Sequence, residues 1–216
     1  SYDFSFISIN FRTKCGPEVV RAFCNARKKL KHNLRMCVVT RLAKAREQLG
    51  NLSDYEGIEW REANLSEQEI AILLADTSCL VHPSLNDSFG VVVLEALAAG
   101  CALIATDIAS FPELVLHNKN GWLIKPSTSA VVGDTFITEY GNIDYHAKYL
   151  NTLSLHQMEL DIAKWMITFV RDSKKARLMM KASYQLYEQK YSLSAWNNQM
   201  RCVLRESFPE LGAFKK

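Results

Sequence analysis

Hydrophobic and polar positions alternate with two different periods along the first 126 residues. Short apolar runs with the composition of buried strands cover residues 4–9, 36–40, 57–60, 78–82, 101–106 and 122–124. Between them, apolar residues recur at every third or fourth position, as in 18–30 and 66–75, which predicts helices. Regular alternation of strands and helices predicts a parallel sheet covered by helices on both faces. We therefore expect an α/β fold with a Rossmann-like, doubly wound parallel sheet.

The remainder of the chain is mostly helical in its pattern. Three helices are predicted there, over residues 157–169, 174–191 and 193–206. Their methionine and aromatic stripes indicate core packing. Residues 127–155 have no clear pattern, although 135–140 would suit an edge strand or a lid. We predict one domain over residues 1–191, with 127–155 as an insertion or lid, and a C-terminal helix and tail over 192–216.

Composition narrows the class of protein without naming a function. The 216 residues suffice for one large domain or two small ones, and 48% hydrophobic with 23% charged residues is typical of a globular protein. A net charge of +3 is too small to indicate nucleic-acid binding. No apolar run reaches the roughly 18 residues of a membrane span. The basic run at residues 27–32 suits the solvated end of a helix, with peripheral contact to an anionic membrane or a lipid-linked substrate as the alternative.

Cysteine and histidine usage argues against a metal site. The six cysteines form no C-x-x-C pair, and the five histidines have no metal-ligand spacing. We therefore expect no metal and a reducing, cytoplasmic setting. His82 lies in an apolar context, which favours a core histidine with satisfied hydrogen bonds. Because the chain starts at Ser1 and not at methionine, we expect a piece of a longer protein.

The most informative stretch is the predicted helix at residues 89–99, which is almost entirely apolar. Glu95 is its only charge, and an unpaired carboxylate on a buried helix is costly or takes up a proton. We therefore expect the hydroxyl groups of a ligand to meet Glu95. Asp87 lies eight positions earlier, where it either caps the helix or contacts the same ligand. Eight helical residues span about 12 Å, which suits the two ends of one long molecule.

A diphosphate would explain the cations that follow the first predicted strand. Arg12 can fork onto phosphate oxygens and Lys14 can act as a nearby point charge, with solvated turn residues as the alternative. The backbone N–H groups of residues 89–91 form an anion site at the helix start, where Gly90 allows close approach. The usual motifs for dinucleotides, nucleoside triphosphates and metal-bound diphosphates are absent from the sequence.

Several motifs together resemble one enzyme family. Residues 87–95, DSFGVVVLE, resemble the E-x7-E donor motif of retaining glycosyltransferases with two facing Rossmann-like domains, the GT-B fold of the glycogen-synthase and mannosyltransferase type. EALAAG at 95–100, PELV at 112–115 and the pairs Pro83-Ser84 and Asn120-Gly121 fit the same group. INFRTKCGP at 9–17 is similar to the strand-end loop that supplies the phosphate-binding arginine and lysine of the family.

The resemblance implies the C-terminal, nucleotide-sugar-binding half of a retaining, metal-independent hexosyltransferase. Arg12 and Lys14 would bind the diphosphate, and Asp87 would hold the transferred sugar. Glu95 would bind the ribose hydroxyls, and the segment at 64–65 would lie near the base. The positions assigned to substrate binding are Asn64, Leu65, Phe89, Gly90, Val91 and Glu95. No cofactor beyond the nucleotide-sugar donor is implied.

The resemblance also implies what is missing. The acceptor, a carbohydrate or a lipid-linked sugar, would bind an absent N-terminal half, so this piece alone should be inactive, and its last helix would pack towards that half. Two positions depart from the family: Asp87 replaces the usual glutamate, and the spacing from Arg12 to Lys14 is tighter. Two alternatives stay open. One is a non-catalytic module that binds nucleotide sugars, for which Asp87 is the motivating substitution, and the other is a nucleotide-sugar epimerase on a similar two-domain fold, which the motif order fits less well.

Overall fold

Six parallel strands form the central sheet of the computed structural model, which describes residues 1–126, 131–132, 135–136 and 155–208. The strands are β1 (Tyr2–Ile7), β2 (Met36–Thr40), β3 (Ile58–Glu62), β4 (Thr77–His82), β5 (Ala102–Thr106) and β6 (Gly121–Ile124). Their order is β3-β2-β1-β4-β5-β6, and every neighbouring pair is parallel. The chain therefore builds outwards from β1 in one direction and then returns to add β4 on the other side. This confirms the predicted doubly wound sheet.

Helices connect the strands and continue after the sheet. They are α1 (Gly16–Leu30), α2 (Leu42–Leu49), α3 (Glu67–Ala75), α4 (Val91–Ala98), α5 (Phe111–Leu114), α6 (His156–Arg171), α7 (Ser173–Leu186) and α8 (Leu193–Ser207). The predicted start signals are present: Pro17 lies in the first turn of α1, and Ser66 and Glu69 form a capping box at α3. Among the described residues, no helix is long and apolar enough to cross a membrane.

Apolar layers cover both faces of the sheet. On one face, Phe4 of β1 contacts the rings of Phe23 from α1 and Phe169 from α6, at centroid distances of 6.3 and 5.8 Å. On the other face, Leu80 of β4 shares a buried cluster with Leu97 of α4. Burying each such side chain stabilises the fold by about 1.5–3 kcal/mol. Because both faces are covered, the central strands are apolar at successive positions, and that is the origin of the runs in the sequence.

The segment between β6 and α6 lies mostly outside the described residues. Two short strands, β7 (Val131–Val132) and β8 (Thr135–Phe136), pair with each other in an antiparallel ribbon separate from the main sheet. The predicted strand or lid at 135–140 is therefore described only at its first two positions. The proposed division at residue 191 stays a prediction.

Candidate functional site

The candidate site lies where the strand order reverses. β1 and β4 are neighbours in the sheet, but the chain leaves β1 towards β2 and leaves β4 towards β5. The helices that follow these two strands, α1 and α4, pack on opposite faces of the sheet, and such a divergence leaves a crevice at the carboxyl ends of the strands, the usual ligand site of this architecture. Arg12 and Lys14 lie in the connection after β1, and Asp87 lies in the connection after β4. The sheet therefore brings together three of the predicted residues.

The two connections are fastened to each other. The backbone N–H of Leu85 donates to the carbonyl of Thr13 at 3.0 Å, and Lys14 Nζ donates to the carbonyl of Asn86. Cys15 and Leu85, one from each connection, also share a small buried cluster with Met158 of α6 and its neighbour Leu155. The protein's own contacts therefore hold the two connections together.

Asp87 receives two donors on one of its oxygens. Lys14 Nζ lies 2.6 Å from Asp87 Oδ2, and His82 Nε2 lies 3.3 Å from the same atom. Partial burial alone would raise the pKa of Asp87, but the hydrogen bonds from His82 and Lys14, with the charge of Lys14, outweigh it and hold the pKa well below its usual range. Asp87 is thus ionised at neutral pH. The side chains of Lys14 and Asp87 are each only 13% exposed, so the interpretation of Lys14 as a solvated turn residue is wrong.

His82 was missed as a site residue. It is 3% exposed, stacks on Phe6 at 6.5 Å and meets the ring of Phe111 edge-on at 5.8 Å. Burial lowers its pKa, an effect only partly offset by Asp87. Nε2 faces Asp87, whereas Nδ1 is buried without a partner among the described residues. The expectation of a fully satisfied core histidine is therefore wrong. The sequence did contain a signal for this role, because His82 directly precedes Pro83 at the carboxyl end of a strand, where this fold places its ligand site.

Arg12 is held by a carboxylate that sequence reasoning also missed. Arg12 Nη1 lies 3.3 and 3.2 Å from the two carboxylate oxygens of Glu18, in the first turn of α1. Glu18 is 4% exposed and also accepts from Arg21, which pairs in turn with Glu159 of α6. The side chain of Arg12 is 13% exposed, so it is not a solvated turn residue either. A series of ion pairs therefore links the connection after β1 to α6.

The start of α4 differs from the prediction. The helix begins at Val91 and not at residue 89, because Gly90 adopts a left-handed conformation with φ +76°. A Cβ at Gly90 would lie 2.2 Å from Cε1 of Phe111, so glycine is required both by conformation and by space. In the described part of the chain, the backbone N–H groups of Gly90 and Val91 have no acceptor. They can bind an anion at this helix start. Gly90, and not Asp87, is the N-cap.

Glu95 lies on the open side of α4. It is exposed, as are Val91 one turn before it and Phe89, so the premise of a carboxylate on a fully buried helix is wrong. Glu95 has no hydrogen-bonding or ionic partner within the residues that the structure describes. Partial desolvation raises its pKa, and the like charge of Glu67 at the start of α3 adds to this. Because only Val91–Ala98 is helical, the estimate of 12 Å between the two carboxylates does not hold.

The predicted base-binding segment follows β3, at the edge of the sheet. Asn64 is exposed and Leu65 is half-buried against the core. This segment leads into α3, which packs against α4. The segment therefore leads into a helix that contacts the one carrying Glu95, while β2 and β1 separate it from the connection after β4.

Comparison with known proteins gives one family. A sequence model of the family described as glycosyl transferases group 1 matches residues 7–137. N-acetyl-alpha-D-glucosaminyl L-malate synthase of Bacillus anthracis is 36% identical over 81 residues, which are 37% of this chain and 21% of that protein. The chain thus matches about a fifth of the length of that relative.

Solved structures share the fold at low sequence identity. The C-terminal domain of a glycosyl transferase group 1 family protein, LpcC from Francisella tularensis, has a TM-score of 0.65 and 21% identity, covering 89% of this chain and 87% of that one. Alr3699/HepE of Anabaena, in a complex with UDP and glucose, has a TM-score of 0.66 and 16% identity, covering 94% of this chain and 48% of that one. The fold is therefore that of one domain of a GT-B glycosyltransferase.

Proposed function

This chain belongs to the glycosyl transferases group 1 family, and we propose that it is the donor-binding half of a retaining hexosyltransferase. It would bind a nucleoside-diphosphate sugar across the crevice between β1 and β4. The single observation that carries the proposal is the convergence of Lys14, Asp87 and the open N–H groups at the start of α4 on that crevice. The HepE structure with UDP-glucose covers 94% of this chain at a TM-score of 0.62, which makes UDP-sugars the first donors to test.

The diphosphate of the donor would bind to Lys14 and Arg12. Lys14 is neutralised by Asp87 in the structure, so its ammonium would turn from the carboxylate towards the phosphates as the donor enters. Arg12 is held by Glu18, and its planar guanidinium would lie against the phosphate oxygens. The N–H groups of Gly90 and Val91 add a neutral anion site beside these charges. These groups together would stabilise the departing diphosphate without a resident metal ion.

The two ends of the donor would meet the two carboxylates. Asp87 accepts both of its donors on Oδ2, which leaves Oδ1 for a hydroxyl of the transferred sugar. Glu95 is exposed and unpartnered among the residues described, as a carboxylate that binds a ribose diol would be. Asn64 and Leu65 would then border the base, since α3 packs against α4.

The acceptor would bind a second half of the enzyme. No residue of α8 is buried in the structure, which describes the chain as far as residue 208, and Leu193, Trp196 and Val203 are 73%, 52% and 53% exposed. An amphipathic helix with an uncovered apolar side is the feature expected if α8 packs on that half. Transfer by this 216-residue chain alone should therefore be absent.

One observation favours the alternative of a non-catalytic module. The carboxylate at the first motif position is the shorter aspartate, and it is already engaged by Lys14 and His82. Transfer of radiolabelled sugar by the longest natural chain separates the two cases. Donor binding without transfer would identify a module.

Calorimetry with a panel of nucleoside-diphosphate sugars tests donor binding by this chain. We expect one of them to bind and Glu95→Ala to weaken that donor at least about tenfold, the cost of losing charge-assisted hydrogen bonds. Glu206→Ala is the matched control, because Glu206 is also an exposed helix glutamate. Unchanged donor affinity in Glu95→Ala would contradict the ribose assignment.

A further inference from the structure

His82 occupies a position that packing alone does not explain. Its ring is enclosed by Phe6 and Phe111 and is 3% exposed, yet Nδ1 has no hydrogen-bond partner in the described part of the chain. A buried polar atom without a partner destabilises the fold, and an apolar side chain of similar size would avoid that cost. The nitrogen of His82 that does have a partner is Nε2, which lies 3.3 Å from Asp87 Oδ2.

The contact with Asp87 fixes the tautomer of the His82 ring. Asp87 is an ionised acceptor, so Nε2 must carry the proton, and a neutral ring then leaves Nδ1 as a bare lone pair. The unpartnered Nδ1 is thus the consequence of the hydrogen bond on the other side. Both observations describe one tautomer, the neutral Nε2–H form.

The same contact orients the carboxylate. Lys14 and His82 converge on Oδ2, and Oδ1 has no donor among the residues described. Lys14 is a long, flexible side chain that would leave Asp87 when a diphosphate binds. His82 is short and held between Phe6 and Phe111, so its hydrogen bond would persist after Lys14 has left.

We propose that His82 is a positioning residue, which donates from Nε2 to Asp87 and keeps Oδ1 turned towards the sugar of the donor after Lys14 has moved to the diphosphate. Its role concerns the sugar end of the donor and not the nucleotide end. This inference rests on the proposed function, because it assumes that Asp87 meets the sugar. The contact between His82 and Asp87 itself does not depend on that assumption.

The experiment compares two substitutions in the 216-residue chain. His82→Gln can still donate an amide N–H to Asp87, whereas His82→Leu fills the space without a donor. We expect His82→Leu to weaken the nucleoside-diphosphate sugar about tenfold and the nucleoside diphosphate alone less than about twofold. His82→Gln should restore most of the lost sugar-dependent affinity. His32→Leu, which removes an exposed histidine at the opposite end of the sheet, controls for the loss of an imidazole.

A second measurement keeps the inference testable if no donor binds. Nitrogen NMR of the histidine rings reports the tautomer directly, and His82 should be in the neutral Nε2–H form at pH 7. Its signal should be assigned from the spectrum of His82→Gln. An Nδ1–H tautomer would overturn the inference, as would equal sugar affinities in the leucine and glutamine variants. A wild-type chain that binds no nucleotide sugar would instead overturn the proposed function, while the tautomer would still decide the contact with Asp87.

Discussion

Asp87 and Glu95 are eight positions apart, yet the protein treats them in opposite ways. Asp87 lies in a connection, is largely buried and accepts hydrogen bonds from Lys14 and His82 on one oxygen. Glu95 lies on a helix, is exposed and has no partner in the described residues. Their pKa values shift in opposite directions, downwards for Asp87 and upwards for Glu95. The protein thus stabilises the charge of Asp87 with its own side chains, whereas the charge of Glu95 is available to a ligand.

This difference separates orientation from affinity. A carboxylate that is already paired gains only the hydrogen bonds that its free oxygen makes with the ligand, and its geometry is fixed before the ligand arrives. An unpaired carboxylate that the fold partly desolvates gains its hydrogen bonds only in the complex. We therefore expect Asp87 to position the sugar and Glu95 to supply affinity for the nucleoside.

Gly90 separates the two carboxylates, and its replacement should have the largest effect on the fold. Gly90→Ala would place a Cβ 2.2 Å from Phe111 at a left-handed φ of +76°. We expect a loss of about 3 kcal/mol in the free energy of unfolding, from overpacking together with backbone strain. Urea unfolding followed by circular dichroism would measure it.

The matched control for this change is Gly100→Ala. Gly100 follows the end of α4 with nearly the same φ, +75°, but a Cβ there would meet nothing closer than 3.7 Å, an ordinary contact distance. Backbone strain alone should cost about 1 kcal/mol. Equal losses in the two variants would show that Phe111 yields easily and that the start of α4 is not fixed by packing.

Asp87→Asn should have the next largest effect, on stability. The change leaves Lys14, which is 13% exposed, without its anion, and we expect a loss of about 2 kcal/mol at pH 7. The folded-state pKa of Asp87 is depressed, so its stabilising effect is present above the unfolded pKa near 4 and is lost as the pH falls towards the folded value. The difference between wild type and variant should therefore shrink in urea titrations below about pH 4.

Asp107→Asn controls for the removal of a charge at the same edge of the sheet. Asp107 follows β5, is exposed and has no side-chain partner within the described residues. Its replacement should change stability by less than about 0.5 kcal/mol at either pH. A comparable loss in both variants would mean that net charge, and not the contact with Lys14, is responsible.

Local patterns predicted the fold well because the sheet is covered on both sides. Met36–Thr40 forms the strand at the predicted bounds, and the capping box at Ser66 begins α3 as expected. The burial of Glu95 was mispredicted, because a short helix of apolar residues can still expose one of its sides to solvent. The composition of α4 does not indicate which side of the helix is exposed. That depends on which part of α4 the neighbouring connections leave uncovered.

The partners inside the site could not be predicted from spacing. Lys14 and Asp87 are 73 positions apart, and Arg12 and Glu18 meet only because the turn before α1 folds back on the helix. Charge pairs of this kind depend on which loops the sheet order places side by side. Predicting that β1 and β4 are neighbours would have been enough to suggest the first pair.

The smallest effect is expected for Glu95→Gln, and its sign is opposite to that of Asp87→Asn. The folded-state pKa of Glu95 is raised by partial desolvation and by Glu67, so its ionised form is less favourable in the folded chain than in the unfolded one. Wild type and variant should be equally stable well below pH 4. As the pH rises above the pKa, the variant should become slightly more stable, by less than about 0.5 kcal/mol at this exposed position. High salt should reduce the part that comes from Glu67. If Glu95→Gln were instead less stable at pH 7, Glu95 would have a stabilising partner inside the fold, and the contrast with Asp87 would disappear.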